Sequence, residues 1–243
     1  MSRSPGIACR QIYMSMQKKV ATHGLEKKAL DRSAAALSCR GDKETIYLKK
    51  IAYYPTGLAL GCPLPRPEIE DTLWQSAMAV HLEILNGTPP GKDRGGLAFV
   101  PKSSYHTTMV NRTHFMKPGP IHCLSPTEFK AAERVLKSNQ WLPIIVDYRG
   151  MILTPTGAIL VPGYPRDDRL FQVRQNLADD VQGFKGTVPR TAHIKLGHLL
   201  NPLDGQTLSD LLVFINRQGE TLEFSLMFLE VFTPLGIIAP DMP

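Results

Sequence analysis

The chain has 243 residues, 43% hydrophobic and 21% charged, with a formal net charge of +6. That is ordinary globular composition, and no apolar run of about 18 residues is present, which argues against a membrane span. The charge is uneven. The first 50 residues hold eleven Lys/Arg against four Asp/Glu, and the remainder hold 17 against 18. The basicity therefore belongs to an N-terminal segment, which can attract a polyanion or simply form a solvated face. Met1 to Val20 lacks the apolar stretch of a secretory signal. The four cysteines, Cys9, Cys39, Cys62 and Cys123, are scattered and form no CxxC pair. They read as reduced thiols of a cytoplasmic protein and not as a disulfide framework or a zinc site.

In chain order, Ser2 to Met16 shows no clear period and reads as an irregular start, with Met14 and Met16 as alternative initiators. Gln17 to Leu37 reads as helical, with Gly24 interrupting it. Thr45–Ile51 and Thr56–Gly61 read as strands. Pro67–Leu85 is an amphipathic helix, with Ile69, Leu73, Ala77, Val80 and Ile84 recurring at three to four and Glu68 and Glu70 favouring its N-terminus. Asn86–Gly96 reads as a loop, and Leu97–Val100 and Lys102–Asn111 as extended runs. Ser125-Pro126-Thr127-Glu128 is a capping-box start for a helix running to about Ser138.

Strands follow at Leu142–Asp147, Met151–Thr154 and Ala158–Val161, then a helix at Asp168–Val181 and a strand at Thr191–Leu200. A short helix at Leu208–Asn216 and a closing strand at Leu222–Thr233 complete the chain. Two roughly similar halves at the level of elements predict an α+β protein with two antiparallel sheets, flanking helices and a central cleft. Residues 1–40 form a basic, partly helical extension in this reading, and 41–243 a single two-lobed domain.

Two of the seven histidines sit in similar contexts: Tyr105-His106-Thr107-Thr108 and Ala192-His193-Ile194-Lys195. Strand side chains alternate, so His106 shares a face with Thr108 and His193 with Lys195, while Tyr105 and Ala192 face the core. Two such strands facing one another would present two imidazoles and two donors. That set suits a phosphodiester: one histidine takes a proton from the nucleophile, the other gives one to the leaving oxygen, and the donors hold the anionic oxygens. A lone His-x-Thr is usually only part of a strand; it is the pairing that raises the reading.

The run Leu97 to Thr108, a strand and a proline leading into His106-Thr107-Thr108, resembles the first signature of the 2H phosphoesterases, the superfamily of the RNA 2′,3′-cyclic phosphodiesterases. His193 matches the second histidine of that family. Lys195 stands where its pattern has Thr or Ser. The closing strand and Pro234-Leu235-Gly236 resemble the family's last strand, so the likeness spans about Thr45 to Gly236. The resemblance implies a bilobed fold and hydrolysis of a cyclic or linear phosphodiester on a nucleotide or RNA end. It implies His106 and His193 as the acid/base pair, Thr108 and Lys195 on the phosphate, and no metal or cofactor. An ammonium at position 195 replaces a hydroxyl donor with a full charge and lowers the pKa of a neighbouring histidine.

Tyr164 and Arg190 are further candidates for the cleft. His198, five positions after His193, is expected on the opposite face. His114 and His122 lie in a Pro/Gly-rich stretch without carboxylates at ligand spacing. Gly87 to Lys92 is one residue short of a phosphate-binding loop and has Asp93 where Ser or Thr would meet magnesium. The rival readings are a non-catalytic module binding a nucleotide or RNA end in the same cleft, and a thiol or acyl hydrolase built on Cys123.

Overall fold

The computed structural model describes residues 5–40, 47–50, 59–63, 66–87, 97–100, 102, 105–111, 126–138, 143–181, 188–228, 231–233 and 236–238. The expected loop at Asn86–Gly96 lies almost wholly outside these residues, and His114, His122, Cys123 and the Ser125 cap lie entirely outside them.

Six helices and twelve strands are present among the described residues. They are α1 (Pro5–His23), α2 (Lys27–Ala36), β1 (Leu37–Arg40), β2 (Tyr47–Lys50), β3 (Ala59–Pro63), α3 (Pro67–Gly87), β4 (Leu97–Phe99), β5 (His106–Asn111), α4 (Pro126–Ser138) and β6 (Ile144–Arg149). β7 (Ile152–Leu153), β8 (Ala158–Pro165), α5 (Arg169–Asp180), β9 (Ala192–Leu199), α6 (Gly205–Glu220), β10 (Glu223–Phe228), β11 (Val231–Thr233) and β12 (Gly236–Ile238) follow. The protein is α+β. Among the described residues, every strand pair is antiparallel except β2 with β4.

The expected two sheets are joined here into one hydrogen-bonded network, because β9 pairs with β8 along one edge and with β4 and β5 along the other. From β5 the order continues through β3 and β11 to β12; from β8 it continues through β6 to β10.

The start of the chain departs from the sequence reading. Residues 5–23 are helical, not irregular, and bury Cys9, Tyr13 and Val20 at intervals of four and seven. Apolar Ile7 and Met14 lie exposed on the other side of the helix, which scatters hydrophobic residues around it and hides the period. Gly24 ends α1. Its φ of +71° is one that side-chain-bearing residues seldom adopt, and its N–H returns to the Val20 carbonyl at 2.9 Å. The expected single helix over Gln17–Leu37 is therefore two helices.

The larger core gathers the apolar stripes of α3, α4, α5 and α6 against one face of the sheet, through residues such as Leu73, Val135, Leu177, Leu211, Val161 and Ile194. A smaller cluster joins Cys9 and Tyr13 of α1 to Ile152, Ala158 and Leu160 of β7 and β8. α1 thus covers part of the sheet beside β9. No described helix is long and apolar enough to cross a membrane.

Candidate functional site

The two histidines lie on adjacent antiparallel strands. Thr107 of β5 pairs with Ile194 of β9; both are fully buried and point to the larger core. Their neighbours point the other way: His106, Thr108, His193 and Lys195 are all partly exposed. Carrying the register one residue to either side sets Thr108 opposite His193 and His106 opposite Lys195. The four side chains form a two-by-two block with a local two-fold relation. Diagonal partners on such a ladder stand roughly 7–8 Å apart, somewhat less at Cβ. The charge of His106 is felt at His193.

The flanking strands repeat that relation. Pro63 of β3 pairs with His106, and Pro162 of β8 pairs with His193. Each inner strand also bulges one residue past its motif. Gly61 pairs with Thr108 and Leu60 with Val110, leaving Met109 extra; Leu160 pairs with Lys195 and Ile159 with Gly197, leaving Leu196 extra. The second bulge corrects the expectation for His198. The extra residue reverses the alternation, so His198, opposite Ala158, returns to the face of His193 and Lys195 and sits close enough to Lys195 for its pKa to be lowered by that charge. Burial lowers it more, to about 4, and Nδ1 of His198 contacts the Leu199 carbonyl at 2.8 Å.

Tyr105 and Ala192 are buried, as their parity requires. Behind the histidines the buried hydroxyls of Thr107 and Tyr148 are hydrogen-bonded, and Tyr148 stacks on Phe224 with ring centroids 5.2 Å apart. On the open side, Thr108 Oγ1 lies 3.2 Å from His106 Nε2, and Thr191 Oγ1 lies 3.4 Å from His193 Nδ1.

A cleft of about 840 Å³ opens in front of His193 and Lys195. Its far wall is α1, through Gln11, Ser15 and Lys19, and its floor includes the Thr154–Thr156 turn. Burial holds Lys195 down at about 8, and among the described residues no carboxylate forms an ion pair with it. Burial first, then the charges of Arg174, Lys195 and His106, hold His193 down at about 4, so its imidazole is neutral at pH 7. The cleft thus sets a neutral imidazole and a poorly solvated cation beside Lys19 and Glu26, while His106 and Thr108 stand on the neighbouring strand and do not line it.

Tyr164 and Arg190 stand elsewhere. Tyr164 shares the face of β8 but packs edge-on against Tyr13, centroids 5.9 Å apart, and lines the hollows on the far side of α1. Arg190 is exposed in the bend before β9, and its carbonyl accepts from the Cys9 thiol at 3.8 Å. Neither lines the cleft of His193 and Lys195. α1 lies along the sheet, and nothing among its described contacts supports the expected polyanion surface. No group of three or more His, Cys, Asp or Glu side chains is placed to hold a metal ion among the described residues.

The sequence reading missed Arg174. It lies on α5 at the buried face formed by Leu170, Val173, Leu177 and Ala178, and is 1% exposed. A charged residue in a register that the helical period reserves for the core is the signal that marks it.

No protein-family model matches the chain, and no curated protein does. Among solved structures it is similar to Usb1 of Kluyveromyces marxianus, at 12% identity and a TM-score of 0.48, over 76% of this chain and 99% of that one. The same protein with uridine monophosphate aligns at 11% identity and a TM-score of 0.46, over 78% and 100%. A conserved protein of unknown function from Agrobacterium tumefaciens, ATU0111, aligns at 17% identity and a TM-score of 0.42, over 71% and 79%. Likeness at this level assigns neither family nor activity; the geometry of the site has to carry the functional reading.

Proposed function

We propose that the protein hydrolyses a cyclic or linear phosphodiester, on a nucleotide or an RNA end, with His106 and His193 as its acid/base pair, in a bilobed 2H-like arrangement. The observation that carries this is the Thr107–Ile194 register, which supports one phosphate between two imidazoles and two donors. The Lys195 cation in the cleft supports an anionic substrate.

In this reading the phosphate lies between the histidines, held by the Thr108 hydroxyl and the Lys195 ammonium. His193, neutral at pH 7, takes a proton from water as the water oxygen bonds to phosphorus. The phosphate's negative charge raises the histidine's proton affinity as it arrives. The bond from phosphorus to the leaving ribose oxygen breaks, and His106 in its protonated form donates to that oxygen. Water re-forms the two histidine states by exchanging one proton between them. Every proton transfer is supplied by the two imidazoles, and no step requires a metal or cofactor.

The test is turnover of 2′,3′-cyclic nucleotides with a chelator present. The hydrolase reading expects ring opening to a nucleoside monophosphate, abolished in His106→Ala and His193→Ala. Binding of the same compounds without turnover would make the protein a nucleotide-binding module instead. Activity lost to EDTA and restored by zinc or manganese would contradict the mechanism.

A further inference from the structure

Arg174 reaches both histidine strands at once. One terminal nitrogen, NH1, donates to the carbonyls of Pro189 and Thr191, each at 3.0 Å, and the other, NH2, donates to the carbonyl of Thr108. Thr191 is two residues before His193, and Thr108 is two residues after His106. The guanidinium therefore ties the entrance of β9 to the middle of β5 from the side of α5. It also stacks over Phe171, 5.5 Å from the ring centroid.

A planar fork can satisfy carbonyls on two strands in fixed directions; a single ammonium on a flexible stem cannot. A buried cation is costly to retain. A packing role is filled at less cost by a leucine, the residue type found at the neighbouring positions of this stripe. What an arginine adds here is a measured distance between two strands, together with a positive charge beside His193.

We propose that Arg174 is a positioning residue that fixes the separation and register of the two histidine strands and holds positive charge behind the phosphate site. The proposal rests on the two-histidine reading above. The ladder alone is weak at this place, since the described pairing of β5 with β9 is the single register Thr107–Ile194. Splaying of the strands by an ångström would move one imidazole off the phosphate while leaving the other in contact. Such misplacement costs on the order of 10²-fold in rate.

The experiment compares Arg174→Lys and Arg174→Met with the wild type by three readouts: thermal melting, kcat and KM on a 2′,3′-cyclic nucleotide, and titration of the His193 ring by NMR. Arg174→Lys keeps the charge and loses the fork. It should fold, show a kcat lower by about 10²-fold with KM little changed, and titrate His193 near the wild-type value. Arg174→Met removes the charge and should raise the His193 pKa. Arg174→Gln, which keeps a donor without charge, replaces it if the methionine variant does not fold. A folded Arg174→Lys with native kcat overturns the proposal, as does a neutral variant whose His193 titrates where the wild type does. If the wild type turns over no phosphodiester, the hydrolase reading fails on that result alone, and the titration still decides whether Arg174 acts on His193.

Discussion

Lys195 and His193 are two residues apart on one face of β9, so whatever charges one acts on the other. If Lys195 holds a phosphate oxygen, Lys195→Ala should lower kcat/KM by roughly 10²-fold, in line with losing one preorganised donor. Lys195→Thr restores a hydroxyl to the same face and should recover part of that loss. Both variants remove a cation that lowers the His193 pKa, so the acidic limb of the pH–rate profile should move upward in both. Measuring kcat/KM against pH for the three proteins checks this; near-native rates and an unmoved profile would mean that Lys195 only faces solvent.

At the scale of elements, the bulges of β5 and β9 decide which side chains share the site. Past Leu196 the backbone of Gly197 runs close to β4: a Cβ there would lie 2.6 Å from Leu97 Cγ and 2.9 Å from the Ala98 carbonyl oxygen. Gly197→Ala should therefore destabilise the protein by about 1–3 kcal/mol, as overpacking of a tight core does, read from the urea midpoint at constant m-value. α1 is anchored by the Tyr13 hydroxyl, which donates to the Ala192 carbonyl beside His193. Tyr13→Phe should lower stability by about 1 kcal/mol and loosen the wall of the cleft, raising KM more than it lowers kcat.

These same elements show what was legible beforehand. α3 was readable because its apolar stripe and end signals agree, and it spans Pro67–Gly87 against an expected Pro67–Leu85; α4, Pro126–Ser138, was readable from its start signal. The parity of His106 with Thr108 and of His193 with Lys195 was readable because a period of two holds within three residues. The face of His198 was not, since one inserted residue reverses the alternation and has no composition of its own. Within the expected closing strand, β10 pairs with β6 and β11 with β3, a change of partner that alternation does not encode. Arg174 was visible only as a charge in an apolar register. The departure of Tyr164 and Arg190 from the cleft follows from where α1 lies, a tertiary fact that no local pattern carries.

For the whole molecule, proton linkage has one sign at this site. His193 and His198 are lowered from about 6.5 to about 4 in the fold. Between those values the unfolded chain binds protons that the folded chain refuses. Stability should therefore rise with pH across that window and be lost as pH falls from about 6.5 toward 4. Lys195, lowered from 10.5 to about 8, acts in the same sense between pH 8 and 10.5. Urea midpoints recorded from pH 4.5 to 7 should climb, and the climb should flatten in a His193→Gln, His198→Gln double variant; a flat wild-type curve would contradict the lowered proton affinity of the two rings.

If the two-fold relation of β3–β5 to β8–β9 serves one phosphodiester site, as proposed, the two histidines should act as a unit. A double-mutant cycle measures this most directly: kcat/KM on a 2′,3′-cyclic nucleotide for wild type, His106→Ala, His193→Ala and the double variant. Each single change should cost about 10²–10⁴-fold, and the double variant should be little worse than the poorer single one, because neither proton transfer is useful without the other. Losses that multiply, or a histidine whose removal is silent, would contradict a pair working on one phosphodiester.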